Sequence, residues 1–370
     1  MKRPFDYLTY GASSSSVEVV KLLRFLLDTT FAGSYQEPPV PVCIWGRHGI
    51  GKTQIVRDLA REMGAAFAYL APAQFEEMGD LVGMPQVETD EQGRRLSLFA
   101  PPDWAPRAEG PGILLIDDVN RADDRILRGL MQLLQNYELV SWRIPHKWHI
   151  ILTANPDGGD YSVTPMDDAL LTRMLHITLE WDLDAWVAWA SRVGVDDRGI
   201  AFVQAHPELA DGTRTTPRTL VQFFQSISTI SDLDKQLGLV RMLAEGCLDP
   251  ETTAAFLAFV RTELEQLIHP EEILQAVDFE VLAARLREKI LQPVKRLDIL
   301  SLTSSRLLAY LENGKDWTPA QLSNLEKFLL LDFIPADVRF RLAQALANSA
   351  QSQLQDFVGR PSIGTVLLDG

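Results

Sequence analysis

The sequence predicts an α/β unit built on a parallel β-sheet, followed by a long all-helical region. Three observations carry that prediction. An apolar strand runs into a Gly-rich turn and a helix at residues 42–63, and a second apolar run, ILLI at 113–116, ends in two aspartates. Beyond Trp181 the β-branched runs fade and helical periodicity takes over. At 370 residues the chain exceeds the size at which one core stops growing, so two or three packed units are expected.

In chain order, VEVVKLLRFLL at 17–27 reads as an amphipathic helix, preceded by serines suited to a flexible arm or an N-cap. Residues 36–41 form a turn-rich approach to the first strand, 42–45, and the turn and helix that follow lead to a second strand at 67–70. The Gly- and Pro-rich stretch 79–112 predicts a loop or hairpin outside the sheet. After the strand at 113–116, Ile126, Leu127, Leu130, Met131 and Leu134 repeat at helical spacing. The stretch 138–155 then reads as two strands joined at 145–147, the second entering the sheet. A short helix at 167–173 and a strand at 175–179 bring the count to five parallel strands. The expected division is an N-terminal helical arm at 1–37, an α/β core at 38–181, a helical lid at 182–295 and a helical extension at 296–370.

Composition narrows the classes. The hydrophobic fraction is 46%, the charged fraction 23%, and no apolar run approaches the roughly 18–20 residues of a membrane span. The N-terminus has a basic start without an apolar stretch and cleavage site, which predicts a cytoplasmic location. The two cysteines, Cys43 and Cys247, read as core thiols rather than a disulfide or zinc framework. A net charge of −15 argues against a surface built for broad nucleic-acid contact, because such affinity comes from Lys and Arg neutralising phosphates.

The chemistry-bearing residues begin with GRHGIGKT at 46–53, which meets the phosphate-binding pattern GxxxxGK[ST] with Gly46, Gly51, Lys52 and Thr53. Glycines let main-chain N–H groups point at phosphate oxygens, and the following helix aims its positive end at the same anion. Lys52, in a solvent-facing loop, reaches the β and γ phosphates, and Thr53 coordinates Mg²⁺. The nucleotide-binding set is therefore Gly46, Arg47, His48, Gly49, Ile50, Gly51, Lys52, Thr53 and Gln54, with ATP and Mg²⁺ as the bound species. The fold expected is that of a P-loop NTPase with a five-stranded parallel sheet.

Asp117 and Asp118 stand at the C-terminal end of a buried strand, where ligands gather in open α/β sheets. Asp117 is the candidate for holding Mg²⁺ and Asp118 for orienting the attacking water. Such a pair alone reads more readily as a solvated strand end; its place downstream of the phosphate loop reverses the reading. Asn155 ends a neighbouring strand and is placed to bond the γ-phosphate or the water, although alone it reads as a turn residue. His146 and His149 form an H-x-x-H without further ligands, which reads as part of a strand pair rather than a metal site.

With these residues in hand, the chain resembles the AAA+ ATPases, and within them the MoxR family. Residues 117–122, DDVNRA, resemble that family's acidic pair and Asn-Arg-Ala tripeptide, and 81–83, LVG, its Leu-x-Gly before an insert in the second helix. Residues 138–153 resemble its β-hairpin before the sensor-1 strand. The likeness covers about residues 38–230 and implies that Asn155 is the sensor-1 residue. It further implies that Arg173 is an arginine finger serving a neighbouring subunit and that Arg218 is the sensor-2 residue. Planar guanidinium forks suit both tasks. It also implies a homo-oligomeric ring, a hexamer, that remodels or activates a partner complex in a chaperone-like way, paired with a protein carrying a von Willebrand factor type A domain.

The family has Glu where this chain has Asp118, one methylene shorter. That predicts slow hydrolysis, unless the local backbone brings Asp118 forward. Two other readings stand beside the remodelling ATPase. One is a nucleic-acid translocase resembling the MCM helicases, with Arg94, Arg95, Arg143, Lys147 and His149 lining a basic pore. The other is a nucleotide-dependent scaffold that barely hydrolyses ATP. Trp142 and Arg143, together with the insert at 83–112, are expected to form one exposed axial surface.

Overall fold

A computed structural model describes residues 10–33, 37–156, 163–262, 268, 270–290, 300, 303–304, 307–308, 310–312, 316–349 and 351–368. The chain divides into two compact units, 1–186 and 187–370. Residues 1–9 of the expected arm lie outside the described residues, as does the boundary expected at 295/296.

The first unit is an α/β fold around one parallel sheet. Its strands are β1 (Ala12–Ser14), β2 (Val42–Trp45), β3 (Ala66–Leu70), β6 (Gly112–Ile116), β9 (Trp148–Ala154) and β10 (Leu175–Leu179), in the order β1-β10-β2-β9-β6-β3. All neighbours are parallel. The sheet therefore has one strand more than the five expected. Ser13 and Ser14, read as part of an arm or cap, pair with Thr178 and Leu179 at the edge. Ser15 is the cap of α1 (Ser16–Ala32), forming a reciprocal capping box with Glu18 that satisfies two otherwise orphaned donors.

The central strands β2, β6 and β9 are buried along their whole length. This is why they read as continuous apolar runs rather than alternating ones. One face packs against α1 and α2 (Lys52–Glu62) through Val19, Leu23, Leu27, Val56 and Leu59. The other packs against α4 (Asp124–Asn136) through Ile126, Leu130, Leu133 and Leu134. Burial pushes the Cys43 thiol well above its usual range, which fits a core thiol.

Outside the sheet, α3 (Met78–Val82) leads into the antiparallel hairpin β4 (Met84–Thr89) and β5 (Arg95–Ala100), as the insert predicted. The stretch before β9 differs from the expectation of a strand turning at 145–147. Its hairpin is complete within six residues, β7 (Glu138–Leu139) pairing β8 (Trp142–Arg143). The turn falls at Val140, whose φ of 49° is a costly conformation for a β-branched residue and invisible in a pattern of apolar spacing. A short helix, α5 (Asp168–Leu171), precedes β10.

Among the described residues the second unit is helical. It includes α7 (Asp197–Ala205), α8 (Pro217–Ile227), α9 (Leu237–Cys247) and α10 (Pro250–Thr262), with α6 (Leu183–Val193) spanning the unit boundary. Phe202, Phe223, Phe224, Phe256 and Phe259 form an aromatic core with mainly tilted and edge-on rings. Gly199 is required there, since a Cβ would lie 2.3 Å from the Phe224 ring. A further core joins α11 (Pro270–Leu274) and α12 (Phe279–Ile290) to α13 (Pro319–Leu329), α14 (Ala336–Ala347), α15 (Ser352–Val358) and α16 (Pro361–Leu368). This core draws on residues from both sides of 295/296. No helix among the described residues is long and apolar enough to cross a membrane.

Candidate active site

The site forms where β2, β6 and β9 end side by side. The loop after β2 turns through Gly46, Gly49 and Gly51, with φ of 155°, 75° and 105°, the last two firmly in the region that L side chains avoid. Gly51 caps α2 without a side chain, so the first amides of α2 have no capping side chain at Gly51. That is the arrangement an anion uses.

Lys52 departs from its expected solvent-facing placement. It is only 5% exposed, and its Nζ donates to the carbonyls of Gly46 (2.5 Å) and Arg47 (3.1 Å) and to Asn155 Oδ1 (3.2 Å). The loop wraps its own cation, which places the ammonium in the concavity. Arg47 and Gly49 are buried and His48 is exposed. Gln54 Nε2 turns along α2 to donate to Asp58 Oδ1 at 2.8 Å.

Asp117 gathers three hydroxyl donors. Oδ1 accepts from Thr53 Oγ1 (2.7 Å) and Thr153 Oγ1 (2.6 Å), and Oδ2 accepts from Tyr69 (3.0 Å). The pairing with Thr53 joins the two residues assigned to Mg²⁺, and hard carboxylate and hydroxyl oxygens are the donors that ion takes. Partial burial, followed by the charge and hydrogen bond of Asp117, pushes the Tyr69 hydroxyl up to about 12, so it stays a donor at neutral pH.

Asp118 adopts left-handed backbone, φ 49° and ψ 46°. Its N–H donates to Thr153 Oγ1 (2.8 Å), its Oδ1 accepts from Asn155 Nδ2 (3.0 Å), and its Oδ2 lies 3.4 Å from Arg121 Nε. Asn155 is fully buried, and its amide orientation follows from its partners: Lys52 requires the oxygen and Asp118 requires the nitrogen. Its main chain is clamped by Asn120, whose Nδ2 donates to Asn155 O (2.7 Å) and whose Oδ1 accepts from Asn155 N (3.0 Å). The Lys52 ammonium, the Asn155 amide and the Asp118 carboxylate thus form one continuous chain, Lys52–Asn155–Asp118.

Tyr69 and Thr153 were not singled out from sequence, and Asn120 entered only within the Asn-Arg-Ala tripeptide, without a role of its own. Thr153 was detectable in principle, since it stands two residues before Asn155, the spacing that turns side chains to one side of an extended chain. Arg173 lies just beyond α5, with its Nε donating to Gln135 Oε1 at 3.2 Å and its guanidinium also bonded to Ala169 O. Arg218 is in the second unit, exposed at the second position of α8 behind Pro217.

Two expectations for the hairpins need correction. Trp142 is half-buried rather than a free surface aromatic: its Nε1 donates to Val82 O at 2.9 Å, and its ring meets Trp104 edge-on at 5.5 Å. Phe99 N–H also donates to Ser141 Oγ at 2.6 Å, so the insert and the small hairpin are fastened together. His149 does not line a basic pore. It is 2% exposed, bonded through Nδ1 to Thr30 Oγ1 at 2.7 Å, and burial pushes its pKa down to about 4, leaving it neutral. Arg94 and Arg143 pair with Asp90 and Glu138.

Residues 41–174 match the AAA domain family, dynein-related subfamily. The chain is also 31% identical over 111 residues to an ATP-dependent zinc metalloprotease YME1 homolog of Schizosaccharomyces pombe. That match takes in 30% of this chain and only 14% of the relative's length. Two solved mutant structures of Thermotoga maritima RuvB are similar at 16% identity. One has a TM-score of 0.39 and covers 78% of this chain and 88% of that one; the other has 0.37, 82% and 90%. Residues 41–174, with their phosphate loop, acidic strand end and parallel sheet, thus have the make-up of a P-loop ATPase domain of the AAA type.

Proposed function

We propose that the chain is a MoxR-type AAA+ ATPase that works as a homo-oligomeric ring, a hexamer, and uses ATP hydrolysis to remodel or activate a partner protein complex. A protein with a von Willebrand factor type A domain is the expected partner. The observation that carries the enzymatic part is the chain Lys52–Asn155–Asp118, which joins three separate strand ends at one point.

In this reading the amides of 46–53 and the Lys52 ammonium bind the phosphates, with Thr53 and Asp117 holding magnesium. Bound Mg²⁺ neutralises phosphate charge and favours transfer of the terminal phosphoryl group. Asp118 orients the attacking water and takes up its proton, while Asn155 holds Asp118 and Lys52 in register. Left-handed backbone at Asp118 brings its short carboxylate to the Asn155 amide, which supports a residue working at its natural length rather than a truncated Glu. Arg173 completes the site of the next subunit, and Arg218 has the sensor-2 role that the family resemblance implies.

Subunit mixing tests the division of labour. Arg173→Ala and Lys52→Ala proteins, each nearly inactive, should regain turnover when co-assembled, because some interfaces then combine an intact loop with an intact finger. Co-assembly without any regained turnover contradicts a finger acting in trans. Stimulation of turnover by single-stranded DNA, with none by co-purifying protein, would favour a translocase instead.

A further inference from the structure

The second unit contains a hollow of about 760 Å³ between α9, α10 and the turn before α8. That volume lies inside the roughly 300–1,000 Å³ typical of small-molecule sites. Its walls are largely apolar, with Leu237, Leu248 and Leu257 prominent among them. Three arginines, Arg214, Arg241 and Arg261, also line it, against one lining carboxylate among the described residues, Glu245. On a chain of net charge −15 these lining residues carry a local surplus of positive charge.

The Arg214 corner is rigidly built. Its N–H and that of Thr215 donate to the Asp249 carboxylate at 2.8–3.2 Å, while Asp249 N–H donates to Thr215 Oγ1 at 2.9 Å. Asp249 is thereby engaged with main chain. The Arg214 guanidinium donates through one nitrogen to the carbonyls of Glu245 (3.2 Å) and Gly246 (3.3 Å), which fixes its direction. Among the described residues, neither Arg241 nor Arg261 has an ion pair or side-chain hydrogen bond. Thr253 also lines the hollow. It is only 5% exposed, and its Oγ1 is buried with no hydrogen-bond partner.

We propose that this hollow binds a compact amphipathic anion, an apolar body carrying one carboxylate or phosphate group. Leu237, Leu248 and Leu257 take the body, and Arg241 and Arg261 close on the charge beside the fixed Arg214. The site is separate from the nucleotide loop in sequence and chemistry, and it does not depend on the function proposed above.

The test is calorimetric titration of the full chain with decanoate and decyl phosphate, with decanol and decylamine as neutral and cationic controls. One or both anions should bind at a single site, the tighter one identifying the head group, with decanol and decylamine at least about tenfold weaker. Arg241→Ala/Arg261→Ala, two exposed positions that leave packing intact, should cost about tenfold or more, and Leu257→Trp should fill the hollow and abolish binding. If Leu257→Trp fails to fold, the arginine pair still decides. Decanol binding as tightly as the anions, or an unchanged affinity in the arginine variant, overturns the proposal. So does binding of a Glu-rich peptide with no binding of either small anion, which would make the hollow a protein-docking groove.

Discussion

Replacing Thr153 with Val removes one oxygen without changing shape, and that oxygen serves both aspartates. Its hydroxyl donates to Asp117 Oδ1 at 2.6 Å and accepts from the Asp118 N–H at 2.8 Å in a fully buried position. Thr153→Val forfeits a bond to a charged group and strands a backbone donor, each a loss of about 1–3 kcal/mol, so about 3 kcal/mol in all is expected. For a unit of this size about 2–4 °C is lost per kcal/mol, which puts the fall in Tm near 6–12 °C. Asp117 keeps Thr53 and Tyr69 but is held less firmly, so the magnesium concentration for half-maximal ATPase should rise while affinity for metal-free ATP is unchanged. Thermal unfolding and magnesium titration read the two effects, with Thr153→Ser, which keeps the hydroxyl, expected to restore the magnesium dependence. A valine variant with the parent's Tm and magnesium dependence would refute the assigned role of Thr153.

Other expectations follow from neighbouring groups. His149, held near pKa 4 against about 6.5 when unfolded, binds its proton more readily in the unfolded chain. Stability should therefore be intact above about pH 6.5 and fall toward pH 4, by an amount on the order of 3 kcal/mol. His149→Phe should flatten that dependence, since Thr30 retains its bond to Leu26 O; an equally steep acid loss in this variant would count against it. Asn155→Ala should lower single-turnover hydrolysis by about 10²–10³, as removal of one positioned donor does elsewhere, with ATP affinity changed far less. Asp118→Glu should slow the same step, because an added methylene pushes the carboxylate past the Asn155 amide; faster turnover would instead mark Asp118 as a truncated catalytic base.

What could be read in the sequence was whatever local pattern encodes. The strands at 42–45 and 113–116 are apolar because both faces are covered, the phosphate loop is specified by glycines and Lys52, and α1 announces itself by its apolar periodicity at 17–27. Edge strand β1 was missed because Ala12, Ser13 and Ser14 carry no apolar signal and become a strand only by pairing with β10. The early turn at Val140 was missed because it violates residue preference. Tyr69 and Asn120 acquire their roles only when strands distant in sequence bring them to Asp117 and Asn155, and periodicity says nothing of such meetings. The inward placement of Lys52 likewise depends on Asn155, more than a hundred residues away.

The central claim is that the loop at 46–53 and the acidic end of β6 bind and hydrolyse ATP with magnesium. Single-turnover phosphate release from Mg·ATP by the full chain, measured beside the Lys52→Ala variant with nucleotide affinity followed by calorimetry, tests it most directly. The parent should hydrolyse ATP and, in a variant with parent-like secondary structure, tight binding should be lost and the rate should fall by about a hundredfold or more. Equal affinity and equal rate in the two proteins would contradict it.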